Sequence, residues 1–170
     1  MIIIVMGVAG AGKTTIGREL ATRLGGEYLE GDAYHPSSNI EKMRRGIALS
    51  DRDRAAWLTN VSQEIAQRKK ANTSTPTVVS CSALKRRYRD QLRKADPDLL
   101  LVYLAGTHDL LMERLTRRQD HFMAPQLLTS QLSTLEPPQE DESPIVVDIA
   151  SSVRDIVNYV CSELRDRQKP

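Results

Sequence analysis

Two cysteines among 170 residues, Cys81 and Cys161, are too few for a disulfide scaffold. No Cys-x-x-Cys pair and no Cys/His cluster has the spacing of a zinc site, so both read as free, buried thiols of a reducing compartment. Charge of one sign is missing too. Lys and Arg number 24 against 22 Asp and Glu, a formal +2, which excludes the marked basic excess of a general nucleic-acid binder. No apolar run approaches the roughly 20 residues of a membrane span. The run Ile2-Ile3-Ile4-Val5-Met6 is too short for a signal sequence and has no basic residues before it. Internal repeats and linker-like stretches are also lacking. The expectation is one cytoplasmic domain, with no membrane and no nucleic acid as partner. What is there, 40% hydrophobic and 27% charged residues, suits an ordinary globular core.

Ile2 to Met6 is continuous, apolar and β-branched, as a strand buried on both faces of a parallel sheet requires. A helical pattern with Ile16, Leu20 and Leu24 on one face follows, and Gly25-Gly26 stops it. Further strands are predicted at Glu27–Leu29, Thr77–Cys81, Leu99–Leu104 and Ile145–Ile149. Between them lie a polar helix around Asn39–Arg45 and a helix opened by a Ser50/Asp53 capping box, with Trp57 in its core face. A basic helix over Leu84–Ala95, a helix capped by Thr107 and a last helix opened by Ser152 complete the pattern. The alternation means an α/β fold: a five-stranded, mainly parallel sheet with helices on both faces and ligands at the carboxyl ends of the strands. Residues 117–138 have the least strand character and read as an insertion, a lid over the site.

Gly7-Val8-Ala9-Gly10-Ala11-Gly12-Lys13-Thr14 fits G-x-x-x-x-G-K-[ST] in full, between a strand and a helix as the chemistry demands. Its glycines let successive N–H groups turn toward one anion, and the helix end at Thr15 adds its positive dipole. Lys13 is expected to reach the β- and γ-phosphates and Thr14 to offer a hydroxyl to magnesium. The ligand is a nucleoside triphosphate, ATP. A GTPase is disfavoured because no Asn-Lys-x-Asp or Asp-x-x-Gly segment is present. A mechanical ATPase is disfavoured because Val79-Ser80-Cys81-Ser82 ends the third strand without a carboxylate. A small-molecule kinase remains.

Asp32 follows the second strand and so belongs at the same sheet edge as the P-loop. A carboxylate there can take the proton of an attacking hydroxyl or hold magnesium through water. His35 either contacts a substrate hydroxyl or caps the helix after Pro36. Residues 7–14, Gly-Asp-Ala-Tyr-His-Pro at 31–36, Asn-Ile-Glu-Lys-Met at 39–43 and Leu-Ser-Asp-Arg-Asp-Arg-Ala-Ala-Trp-Leu at 49–58 resemble the gluconokinase family. The likeness continues through Cys-Ser-Ala-Leu-Lys at 81–85, Tyr-Arg-Asp at 88–90, His121-Phe122-Met123, Leu127-Leu128, Gln131 and Thr134-Leu135-Glu136.

The resemblance implies transfer of the ATP γ-phosphoryl group to the 6-hydroxyl of D-gluconate. It also implies a P-loop kinase fold similar to nucleoside monophosphate kinases, a mobile lid and a homodimer. Ala9 and Ala11 stand where relatives often have Ser, a mild departure because backbone amides do the binding. Gluconate carries one carboxylate and five hydroxyls. Arg54, Lys85 and Arg89 are the cations expected to meet it, with Ser82 and His121 contacting the polyol. Arg114, Arg117 and Arg118 are expected to bring positive charge to ATP and to the transferred phosphoryl. Shikimate as acceptor is disfavoured, since no second acid follows Asp32 in a Gly-Asp-x-Asp pattern. A regulatory module that binds ATP without transferring phosphate is disfavoured by intact Lys13, Thr14 and Asp32.

Overall fold

The computed structural model describes residues 1–71, 74–117 and 126–167. Five strands, β1 (Ile2–Met6), β2 (Glu27–Glu30), β3 (Thr77–Ser80), β4 (Leu100–Ala105) and β5 (Ile145–Asp148), form one sheet in the order β2-β3-β1-β4-β5. Every neighbouring pair is parallel, with Ile3 opposite Val78 on one side and Leu100 on the other. Parallel neighbours need crossovers, and the helices supply them: α1 (Lys13–Arg23), α2 (Ser37–Arg44), α3 (Asp51–Lys70), α4 (Arg86–Arg93), α5 (His108–Thr116), α6 (Gln126–Thr134) and α7 (Val153–Arg167).

Strand β1 shows why both faces are covered. Ile3 and Val5 point into a core built with Leu20 of α1, Leu111 of α5 and Val157 and Val160 of α7. Ile2, Ile4 and Met6 point the other way, against Trp57, Leu58, Val61 and Ile65 of α3 and Leu92 of α4. Side chains alternate along a strand, so a run with no polar residue is buried on both sides. Cys161 lies in the first core and Cys81 in the second, both buried and unpaired, with burial pushing the Cys81 thiol up to about 12.

The helix ends follow local chemistry. At α3 the Ser50 hydroxyl accepts the Asp53 N–H while the Asp53 carboxylate accepts the Ser50 N–H, the reciprocal cap foreseen from the spacing. Helix α4 starts two residues later than its apolar pattern implies. Ala83 has φ +43 and Lys85 is extended at the N-cap, so Leu84 packs into the core from a loop.

The strand-order reversal puts the ends of β1 and β3, and the loops after them, around one crevice. Gly31 makes the approach of β2 to β3 possible. A Cβ there would stand 2.2 Å from the Ser80 carbonyl oxygen, so only glycine lets the chain turn directly into Asp32.

Candidate active site

The loop between β1 and α1 carries the phosphate motif. Gly12, at φ +93, caps α1 from the left-handed region, and this turns the chain into the helix with its first N–H groups exposed. The side chains of Val8, Ala9 and Ala11 are packed in the core, so at these positions only the main chain borders the loop's hollow, and the Ala9 N–H there is already held by Gln131 Oε1. Gly7 and Gly10 also have positive φ. Lys13 Nζ donates to the Val8 carbonyl at 3.2 Å, which lays the side chain back along the loop.

One cavity opens from Lys13 toward the acceptor side. Asp32, His35, Arg54, Trp57 and Ser82 line it, and Leu127, Ser130 and Gln131 of α6 form the opposite wall. The structure thus brings five expected residues together: Lys13, Asp32, His35, Arg54 and Ser82.

His35 is set by three contacts. Its ring stacks on Trp57, centroids 4.4 Å apart and 13° from parallel, while Trp57 Nε1 donates to the Gly31 carbonyl at 2.8 Å. Asn39 Nδ2 donates to the Asp53 carbonyl and lies 3.3 Å from His35 Nδ1. An amide nitrogen only donates, so Nδ1 accepts and the neutral ring carries its proton on Nε2, 3.9 Å from Asp32 Oδ1. Burial, then the nearby Arg54 charge, lowers the His35 pKa to about 4. It is a neutral donor at physiological pH. Trp57 is therefore both core and the platform of a site residue.

Arg54 is buried, with Nη1 donating to the Leu49 carbonyl at 2.6 Å and its guanidinium over the Tyr88 ring at 5.9 Å. It is the arginine among the described residues of this cavity. Two other expected cations lie away from this cavity. Arg89 is 1% exposed, and its guanidinium meets the Glu142 carboxylate through Nε at 2.6 Å and Nη2 at 2.7 Å. Its Nη1 donates to the carbonyls of Ala83 and Glu136, so every face of the fork is used inside the protein and none faces the cavity. Lys85 turns outward to Asp51 at 3.0 Å and does not line the cavity either. Both residues sit on the loop and first turn beyond Ser82.

A carboxylate outside the sequence motifs stands at the phosphate loop itself. Glu30 accepts Thr14 Oγ1 at 2.8 Å, Tyr28 OH at 2.7 Å and Ser80 Oγ at 2.5 Å. Burial by itself raises its pKa, but these three donors and the Lys13 charge outweigh it and hold the carboxyl below its usual value. Burial, offset in part by Ser80, pushes its neighbour Tyr28 up to about 12. The signal was available: Glu30 precedes Asp32 by two residues at a strand end. So the carboxylate on the Thr14 hydroxyl is that of Glu30, a residue the sequence analysis did not single out.

On the far side of the P-loop a second hollow is lined by Gly12, Thr15, Arg114, Arg117, Ile149 and Ile156. Arg114 Nη2 donates to the Ile149 carbonyl at 2.6 Å, and Arg117 pairs with Glu113 at 2.6 Å while largely exposed. Arg118 and His121 lie outside the described residues.

Among the described residues no group of three His, Cys, Asp or Glu could hold a metal alone. The oxygens of Thr14, Glu30 and Asp32 are nevertheless the hard donors that suit magnesium, an ion that keeps phosphate oxygens and waters as most of its ligands. No described helix is long and apolar enough to cross a membrane.

Comparison with known proteins agrees with this geometry. The AAA domain family matches residues 2–138. A gluconokinase of Gluconobacter oxydans is 48% identical over 145 residues, covering 85% of this chain and 80% of its own. Among solved structures, a sugar kinase from Janibacter superposes with TM-score 0.91 at 40% identity, covering 96% of this chain and 94% of that one. A gluconokinase from Sinorhizobium meliloti gives 0.84 at 40% identity, covering 98% and 97%.

Proposed function

The chain belongs to the gluconokinase family, and from that premise we propose that it transfers the γ-phosphoryl group of ATP to the 6-hydroxyl of D-gluconate. The observation that carries the reading is the single cavity that joins Lys13 of the P-loop to Asp32, His35, Arg54 and Ser82. An aldonate needs one cation and several hydroxyl partners, and this wall has that content. Arg54 meets the carboxylate; His35 Nε2 and Ser82 serve hydroxyls. Asp32 orients the 6-hydroxyl and accepts its proton as the oxygen attacks the γ-phosphorus. The bond to the bridging oxygen breaks, and ADP leaves with that electron pair.

Lys13 and the loop amides hold the phosphates, and Arg114 and Arg117 flank the nucleotide from the second hollow. Thr14, with Glu30 and Asp32 behind it, would hold magnesium, which when bound neutralises charge on the β- and γ-oxygens. Glu30 keeps the Thr14 hydroxyl fixed in the meantime. The same reading takes the chain as one kinase domain acting as a cytoplasmic homodimer, with the lid expected at 117–138, of which residues 118–125 lie outside the described residues.

The test is ADP formation measured against a panel of aldonic acids, aldoses, shikimate and nucleoside monophosphates. D-Gluconate is expected to give the fastest turnover, and Lys13→Ala to abolish it without lowering the melting temperature by more than a few degrees. Equal slow ADP release with every acceptor, or a better rate with shikimate, would overturn the assignment.

A further inference from the structure

Helix α6 touches both halves of the cavity with side chains one turn apart. Leu127 is buried against Met43 of α2 and Leu49, on the segment that leads to Arg54. Four residues on, Gln131 is 8% exposed, and its Oε1 accepts the Ala9 main-chain N–H at 2.7 Å, across 122 residues of sequence. Positions i and i+4 share a helix face, about 6 Å apart along the axis. Ser130 and Gln131 both line the cavity between these anchors.

Ala9 occupies the middle of the phosphate loop. The residue before it, Val8, gives its carbonyl to Lys13 Nζ. A buried main-chain N–H must find an acceptor, and here a side chain from the acceptor-side helix provides it. A shift of the loop at Ala9 is thereby carried through one rigid turn to the Leu127 contact, and a shift of the acceptor wall is carried back.

We propose that Gln131 is a positioning residue that couples the two substrate sites: it binds the P-loop to the acceptor wall so that each substrate raises the affinity for the other. The proposal rests on the reading that nucleotide and acceptor flank this helix. Linkage makes the effect reciprocal, and couplings of this kind span roughly 5- to 150-fold.

Gln131→Met keeps length and bulk but removes the acceptor, whereas Gln131→Glu can still accept from Ala9. The dissociation constant of D-gluconate is measured without and with a saturating non-hydrolysable ATP analogue and magnesium, and that of the analogue without and with gluconate. In the unaltered protein both constants are expected to fall by the same factor, on the order of tenfold. In Gln131→Met that factor falls to about one whatever the change in the binary constants, and Gln131→Glu retains the factor. A Gln131→Met protein with the full factor overturns the proposal, as does one that loses both binary affinities together with its melting temperature. Hydrogen exchange needs no acceptor: the analogue should slow exchange in residues 127–134 of the unaltered protein and not of Gln131→Met. If gluconate fails to bind while this exchange difference stands, the substrate reading fails and the coupling survives. Absence of the difference ends the coupling proposal whatever the substrate.

Discussion

Asp32 and Glu30 sit two residues apart and face different chemistry. Glu30 is enclosed by three donors, which stabilise its charge and leave it little capacity to take a proton. Asp32 lines the cavity beside Lys13 and His35, where an acceptor hydroxyl would arrive. On the proposed reading the roles of base and of phosphate-side anchor divide between them, Asp32 taking the first and Glu30 the second. Asp32→Asn keeps the shape and removes the base, so turnover should fall by about 10²- to 10⁴-fold while ATP still binds. Glu30→Gln weakens its hold on Thr14 and should act mainly on the magnesium dependence, with activity partly restored at high magnesium. Turnover of both variants against magnesium separates the roles. A loss below about tenfold in Asp32→Asn at every magnesium level would sink its assignment.

At the scale of elements, the loop from β3 to α4 shows how an expected binding residue becomes a strut. Arg89 is spent on holding that loop: it ties the carbonyls of Ala83 and Glu136 and the Glu142 carboxylate into one buried knot. Ala83 is in the left-handed region, a conformation that persists only when its surroundings enforce it. Removing one partner of a buried ion pair strands the other, so Arg89→Leu should cost about 3–5 kcal/mol of stability, read from denaturant midpoints. The double variant Arg89→Leu/Glu142→Leu should recover part of that loss. A single variant as stable as the unaltered protein would show that the knot carries no weight. The same loop marks the limit of what sequence could tell. Periodicity located the strands and the Ser50 cap because those depend on neighbours within a turn. Arg89 was placed with the ligand through the family resemblance of its segment, and an arginine there looks the same in sequence whether it meets a substrate or Glu142, 53 residues away. Gln131 stood in the family likeness, but its partner was not legible, since that is a backbone amide 122 residues back. Lys13, Asp32 and Ser82 share one cavity because parallel topology gathers strand ends, while His35 and Arg54 reach it from the segment after β2 and from α3.

For the whole molecule, acid is the condition that separates His35 from the two carboxylates Glu30 and Glu142, because their windows differ. His35 has an unfolded pKa near 6.5 and a folded value of about 4, so the unfolded chain takes up its proton first. Stability is therefore unaffected by His35 above pH 6.5 and falls as pH drops from 6.5 toward 4, by at most about 1.4 kcal/mol per pH unit for one proton. Glu30 and Glu142 are both held below the ordinary carboxylate value, Glu142 because the Arg89 pair outweighs its burial. Their contribution is complete above the unfolded value of 4.5 and disappears only as pH falls below it. The loss should come in two stages, a shallow one from His35 and a steeper one from the carboxylates. Urea midpoints of the ligand-free protein at pH 7.5, 5.5 and 4.5 follow the first stage, and melting below pH 4 follows the second. His35→Gln cannot titrate there, so it should flatten the stage between 6.5 and 4.5 and leave the acid limb in place. A protein whose midpoint does not change between pH 7.5 and 4.5 would mean that His35 is protonated freely in the fold, and the neutral donor assigned to the cavity would have to be withdrawn.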